Sequence, residues 1–190
     1  LKYSIILSDC PWHYNARNNP KNTKFGKGAS GHYQTMHTGD ICNIAVNEIT
    51  ADNCALFLWA TMPRLPDALR VMNAWGFTYK TVGFTWMKIN KGNREPFFGI
   101  GYYTKSCAEI CLLGIKGKMK PVSNYVSQMI VEPRRGHSQK PLCTRERIVQ
   151  LFGDLPRLEL FSREKVDGWD SIGDDINGLD IREVLRSKFA

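Results

Sequence analysis

An α/β fold with a largely parallel, Rossmann-like central sheet is what this chain predicts, on three observations. Short apolar runs of strand length alternate with helical periodicities along most of the sequence. Several of those runs are apolar without interruption, as strands covered on both faces must be. At 190 residues, the chain has room for one domain with a sizeable core and hardly for two. The reading is therefore a single domain over residues 1–190.

Residues 3–8 read as the first strand. They lead into a polar stretch, 14–32, rich in Asn, Gly and Lys and almost free of apolar residues, which marks a mobile, substrate-facing loop. A short helix is expected over 40–46 with Thr38 as its cap, and a second buried strand over 55–60. Leu65, Leu69, Met72 and Trp75 recur at helical spacing, and Gly76 is the expected stop. A strand over 78–88 precedes a second polar loop, 89–101, also read as substrate-facing. Further strands are expected at 109–115 and 128–131, a helix at 143–152, a strand at 157–162 and an amphipathic tail helix at 180–189. In sheets of this kind ligands bind beyond the carboxyl ends of the strands, so the residues just after each strand are the candidates for chemistry.

A formal charge of +8, from 26 basic and 18 acidic residues, favours a polyanionic partner. No apolar run approaches the roughly 20 residues of a membrane span, and no signal peptide is visible. A cytoplasmic protein without membrane partners is expected. The six cysteines form no Cys-x-x-Cys pair, which predicts reduced, mostly buried thiols and no metal centre.

The first strand ends in Asp9-Cys10-Pro11-Trp12. An acid, a proline turn and an aromatic at a strand's carboxyl end suit the methylation of an aromatic amine. The amine's lone pair is delocalised into its ring, and accepting both N–H hydrogens draws it toward a methyl donor. Asp9 supplies one acceptor and the backbone carbonyl of Cys10 the other. Pro11 holds the turn, and Trp12 offers a flat face to a purine. The same tetrapeptide also suits an ordinary strand-to-turn with a buried Trp.

Further blocks decide between these. They are His32-Tyr33-Gln34-Thr35-Met36, Leu56-Phe57-Leu58-Trp59, Trp75-Gly76-Phe77, Gly101-Tyr102-Tyr103 with Glu109-Ile110-Cys111-Leu112-Leu113, His137-Ser138-Gln139-Lys140-Pro141, and Leu158-Glu159-Leu160-Phe161-Ser162-Arg163 with Gly168-Trp169-Asp170. In this order the chain resembles the MT-A70 family of adenine methyltransferases over residues 3–176, above all its compact bacterial and phage members.

The resemblance implies a permuted motif order, with the catalytic motif ahead of the main cofactor motif, and S-adenosyl-L-methionine as cofactor. It implies that Asp9 and Cys10 touch the cofactor's methionine end as well as the amine. Lys140 would hold the methionine carboxylate, Phe161 and Arg163 would line the ribose pocket, and Asp174 and Asp175 would reach the ribose or adenine. Tyr33 would close over the target. His137 would be a substrate-side or structural residue rather than a base, while Trp59 and Trp75 are expected in the core.

The chain departs from the family pattern at three places, one of them Gln139, which replaces a frequent Arg and removes a positive charge near the nucleic-acid face. Cys10 replaces a proline, which leaves the carbonyl acceptor in place. Asp174-Asp175 comes after Gly173 where relatives carry Asn and then Glu or Gln, and an ionised Asp accepts but does not donate.

The expected function is transfer of the cofactor's methyl group to the N6 amine of adenine in nucleic acid, DNA favoured over RNA. Basic segments 21–27 and 88–94, with Arg134 and Arg135, are candidate phosphate contacts. The alternatives are an RNA adenine methyltransferase and a catalytically inactive nucleic-acid-binding subunit. A homodimer or heterodimer is compatible with so little room for target recognition.

Overall fold

The computed structural model describes residues 2–13, 35–99, 103–135, 139–178 and 180–189. Strand β1 (Tyr3–Ser8) carries Ile5 and Ile6 wholly buried, as a central strand requires. After it come helices α1 (Thr38–Cys42) and α2 (Val46–Ile49), strand β2 (Thr50–Ala60), and a 3-10 turn (Met62–Arg64) leading into α3 (Leu65–Ala74). Strands β3 (Thr78–Ile89), β4 (Ala108–Lys116) and β5 (Met129–Pro133) precede α4 (Cys143–Phe152). Strands β6 (Arg157–Leu160) and β7 (Asp170–Ile172) and helices α5 (Asp174–Asn177) and α6 (Ile181–Phe189) complete the order.

Among the described residues the sheet has seven strands, in the order β5-β3-β4-β2-β1-β6-β7. Strand β4 runs antiparallel to both β2 and β3, and every other pairing is parallel. The mostly parallel sheet expected from the sequence is therefore present. From β1 the chain passes to β2 on one side and returns on the other as β6. The carboxyl ends of β1 and β6 thus flank a topological switch point, where open α/β sheets bind ligands.

Alternation along the strands sorts the core into two layers. Ile6, Leu56, Leu58, Leu112 and Leu160 pack with α1, α3 and α6. Ile5, Leu7, Phe57, Trp59 and Cys111 pack with Ile148 and Phe152 of α4. Trp59 and Trp75 are core residues, as expected.

Some boundaries differ from the sequence reading. The helix expected over 40–46 is two short helices that break near Asn43. Positions two apart on a helix face about 200° apart, so the break lets Ile41, Ile44 and Val46 all reach the core. Thr38 is the first helical residue rather than the cap; its hydroxyl donates to Asp67 at 3.0 Å. Leu69 faces solvent, whereas Met72 and Trp75 are buried as expected, and Ala68 and Val71 complete the apolar face of α3. Gly76 ends that helix at φ 83°, the left-handed turn a glycine permits. Strand β2 starts at Thr50, five residues early, through polar residues whose pattern carries no strand signal. The sequence reading also lacks β7 and α5, which at three and four residues are too short for any periodicity.

Candidate active site

The tetrapeptide after β1 makes a tight turn. The Trp12 amide donates to the Cys10 carbonyl at 2.9 Å, closing over Pro11, and a carbonyl's second lone pair remains. The next residues are stitched to the segment before α1. The Met36 amide donates to the Pro11 carbonyl at 2.7 Å, and the His13 amide to the Met36 carbonyl at 3.0 Å. His13 Nδ1 meets the Thr35 hydroxyl at 2.9 Å, its ring lies 4.4 Å from that of His37, and Arg64 donates to its carbonyl. Trp12 is 4% exposed, and its indole N–H donates to the Trp59 carbonyl at 3.3 Å. Stacking of a base on its face, expected from the motif, requires that face to be uncovered. The Cys10 thiol is buried, and burial raises its pKa well above the usual thiol value, so it stays protonated. A nucleophilic role for it has no support.

Asp9 heads a row of alternating charges that crosses four strands. Lys140 Nζ donates to Asp9 Oδ2 at 2.6 Å and lies 3.3 Å from Glu109 Oε2. Glu109 in turn pairs with Lys88. Burial pushes the Asp9 pKa up; Lys140 pulls it back, Glu109 adds to the rise, and the net shift is upward. For Glu109, burial also pushes up, but Lys140 and Lys88 outweigh it and the pKa falls below the ordinary value. Burial lowers the Lys140 pKa, and its two acids more than reverse that, so the ammonium is charged throughout the working range.

A cleft opens beside this row on the α4 face, in the switch-point crevice, with about 630 Å³ of space including its mouth. Asp9, Lys140, Phe161 and Arg163 line it, together with Leu7, Trp59, Thr144, Arg145, Glu159 and Glu164. Arg145 grips Glu159 with two bonds of 2.7 and 3.0 Å, a fork-on-carboxylate arrangement. Phe161 stands at φ 59°, an uncommon value for a bulky residue, where β6 turns away. Among the described residues, the Trp59 indole N–H and the Thr144 hydroxyl are buried without a hydrogen-bond partner.

The expected site residues thus fall into three groups. Asp9, Lys140, Phe161 and Arg163 meet at one cleft, with Cys10, Pro11 and Trp12 in the turn behind Asp9. Asp174 and Asp175 are exposed at the start of α5 and are not among the cleft's lining residues. Their neighbour Gly173 touches the Ser162 backbone so closely that a Cβ there would collide with its carbonyl. Tyr33 and His137 lie outside the described residues, as does the loop 14–32. Lys88, grouped with candidate phosphate contacts from the sequence, points inward to Glu109 instead. Arg134 stacks over Phe97 at 3.7 Å, and Arg135 lies 4.0 Å from Glu164.

Two site residues have no assigned role in the sequence reading. Glu159 lies within β6 rather than after it. Glu109 opens the reversed strand β4, whose amino end therefore meets the carboxyl ends of its neighbours. A carboxylate leading an otherwise apolar strand was the available signal.

The MT-A70 family model matches residues 3–175. A Type II methyltransferase, M.MunI, from a Mycoplasma species is 33% identical over 189 residues, taking in 92% of this chain and 78% of that protein. An N(6)-adenosine-methyltransferase MT-A70-like protein of Arabidopsis thaliana is 28% identical over 98% of this chain, which spans 26% of its length. The non-catalytic subunit METTL14 of the N(6)-adenosine-methyltransferase of Drosophila melanogaster is 26% identical, covering all of this chain and 50% of that subunit.

Proposed function

This chain belongs to the MT-A70 family, and from that premise we propose that its switch-point cleft binds S-adenosyl-L-methionine and serves methyl transfer to adenine in DNA. The activity is that of an adenine-N6 methyltransferase. The observation that carries the site assignment is the meeting of Asp9, Lys140, Phe161 and Arg163 at one cleft between β1 and β6.

The lining suits the cofactor. Lys140 and Arg163 offer cations to an α-carboxylate, and Glu159 and Glu164 offer acceptors to an ammonium group or ribose hydroxyls. When bound, the cofactor supplies an electrophilic methyl group on a sulfonium and leaves as a neutral thioether.

Asp9 accepts one N6–H hydrogen bond and the Cys10 carbonyl the second, which aims the nitrogen lone pair into the cleft. The nitrogen gains a carbon bond and then sheds one proton, which the Asp9 carboxylate is placed to receive. A raised pKa makes that carboxylate a better proton acceptor than an exposed one.

DNA is favoured because the chain spans most of a bacterial Type II methyltransferase but only a quarter of the plant N(6)-adenosine enzyme. A cytoplasmic location accompanies this reading. Among the described residues no helix is long and apolar enough to cross a membrane. The likeness to METTL14 raises a second reading, a non-catalytic partner subunit. Incubation with labelled S-adenosylmethionine and duplex DNA, single-stranded DNA or RNA, with nucleoside analysis of the products, tests both. Label in N6-methyldeoxyadenosine is the expected result. No transfer to any of the three substrates favours the partner subunit.

A further inference from the structure

The cleft accounts for Asp9 and Lys140 but not for the outer half of the charged row. Lys88 sits near the end of β3 with its side chain 19% exposed, 5.1 Å from the centre of the Trp86 ring, and paired with Glu109. It lines no part of the cleft. A lysine is usually left in water; this one is folded inward onto a carboxylate that is itself 13% exposed.

The row is neutral as built: two acids, Asp9 and Glu109, and two lysines, Lys140 and Lys88. Lys140 is shared between the acids, so each acid depends on what else the other holds. Without Lys88 the row would carry one excess negative charge in a partly buried setting. The cheapest response is to bind a proton.

We propose that Lys88 is a positioning residue for methyl transfer: by holding Glu109 as an aligned carboxylate, it keeps Lys140 in place and Asp9 ionised to receive the substrate amine. This rests on the proposed role of Asp9.

The charged and titratable groups facing Asp9 come from every neighbouring element. They are Lys140 ahead of α4, Glu109 and the Cys111 thiol on β4, Glu159 on β6, Arg163 after β6, and Cys10 beside it. The thiols stay protonated because burial raises their pKa, and Glu159 is held by Arg145, which leaves Glu109 as the nearby acid whose charge Lys88 balances.

The test compares wild type with Lys88→Met, Lys88→Arg and the double variant Lys88→Met/Glu109→Gln, using labelled S-adenosylmethionine and duplex DNA across a pH series. In parallel, ¹³C-labelled aspartate reports the Asp9 carboxyl by NMR, with its resonance assigned from Asp9→Asn. Lys88→Met is expected to move the acid limb of kcat/KM, and the Asp9 titration with it, up by about one pH unit or more, a tenfold loss on the acid side. Lys88→Arg retains the charge and keeps the wild-type limb. The double variant restores neutrality and returns the limb toward wild type, which a purely structural role for Lys88 does not predict. An unmoved Asp9 titration in Lys88→Met, or a double variant shifted as far as the single one, overturns the proposal. Absence of transfer by the wild type overturns the function instead and leaves the NMR comparison intact.

Discussion

The two ends of the sheet carry similar residue types and use them differently. At the amino end of the parallel strands, polar groups are tied in local sets. The Tyr3 hydroxyl donates to Asp170 at 2.6 Å, Arg157 pairs with Asp154 at 2.6 Å, and Lys116 reaches Asn47 and Thr50 at 2.7 and 2.9 Å. At the carboxyl end Lys140 serves two acids and Glu109 serves two lysines. Local sets pin elements together. A shared row lets each member respond to the charge state of the others, which suits a site where an amine must be received and a proton taken away.

The comparison can be broken in four places. The largest expected effect is at the carboxyl end, where Asp9→Ala should lower methyl transfer by at least about 10²–10³-fold. A thermal melt showing a folded protein must accompany the loss, because the variant leaves Lys140 with one acid in place of two. Retained transfer in this variant would make the row structural.

At the amino end the effect should fall on stability instead. Gly117 stands at φ 67°, and a Cβ there would collide with the Asp52 carbonyl. Gly117→Ala is expected to destabilise the fold by about 1–3 kcal/mol, read from denaturant midpoints, with kcat per folded molecule unchanged. A lowered kcat would show that the two ends are not separate.

Acid pH sharpens the contrast further. Glu109 has a folded-state pKa below its ordinary value of 4.5, so its contribution to stability is present above that pH and lost as pH falls through the folded value. Asp9, shifted upward, has the opposite sign and favours the folded state as pH falls. Glu109→Gln should therefore show a shallower loss of stability between about pH 5 and pH 3, measured by urea midpoints. A loss as steep as that of wild type would contradict the ion pairing of Glu109.

The smallest effect is expected at Cys10. Only its carbonyl is assigned a role, so Cys10→Ala should keep kcat within about twofold while costing about 1 kcal/mol of packing. A large fall in kcat would bring the thiol into the chemistry.

The fold was legible where elements are long and their periodicity clear: β1, α3, β4 and α4 all lie within a residue or two of expectation. Asp9 was legible from its place after the first strand, while Lys140, Phe161 and Arg163 were named only through the family resemblance; the structure brings all four to one cleft. Glu109 was not legible, because it opens the one strand that runs backward, and strand direction is a property of pairing rather than of sequence. Lys88 was read as a surface base for a related reason: whether a lysine faces water depends on the partner across the sheet. Strand β7 was missed because three residues cannot show alternation, and its place is set by the β6 backbone beside it.

The most direct test of where the chemistry lies is a crystal structure with S-adenosylhomocysteine bound. The ligand is expected in the cleft between β1 and β6, on the α4 face, in contact with Lys140 and Phe161. Binding at the opposite end of the sheet, in the groove beside Arg157 and Trp169, would contradict that assignment.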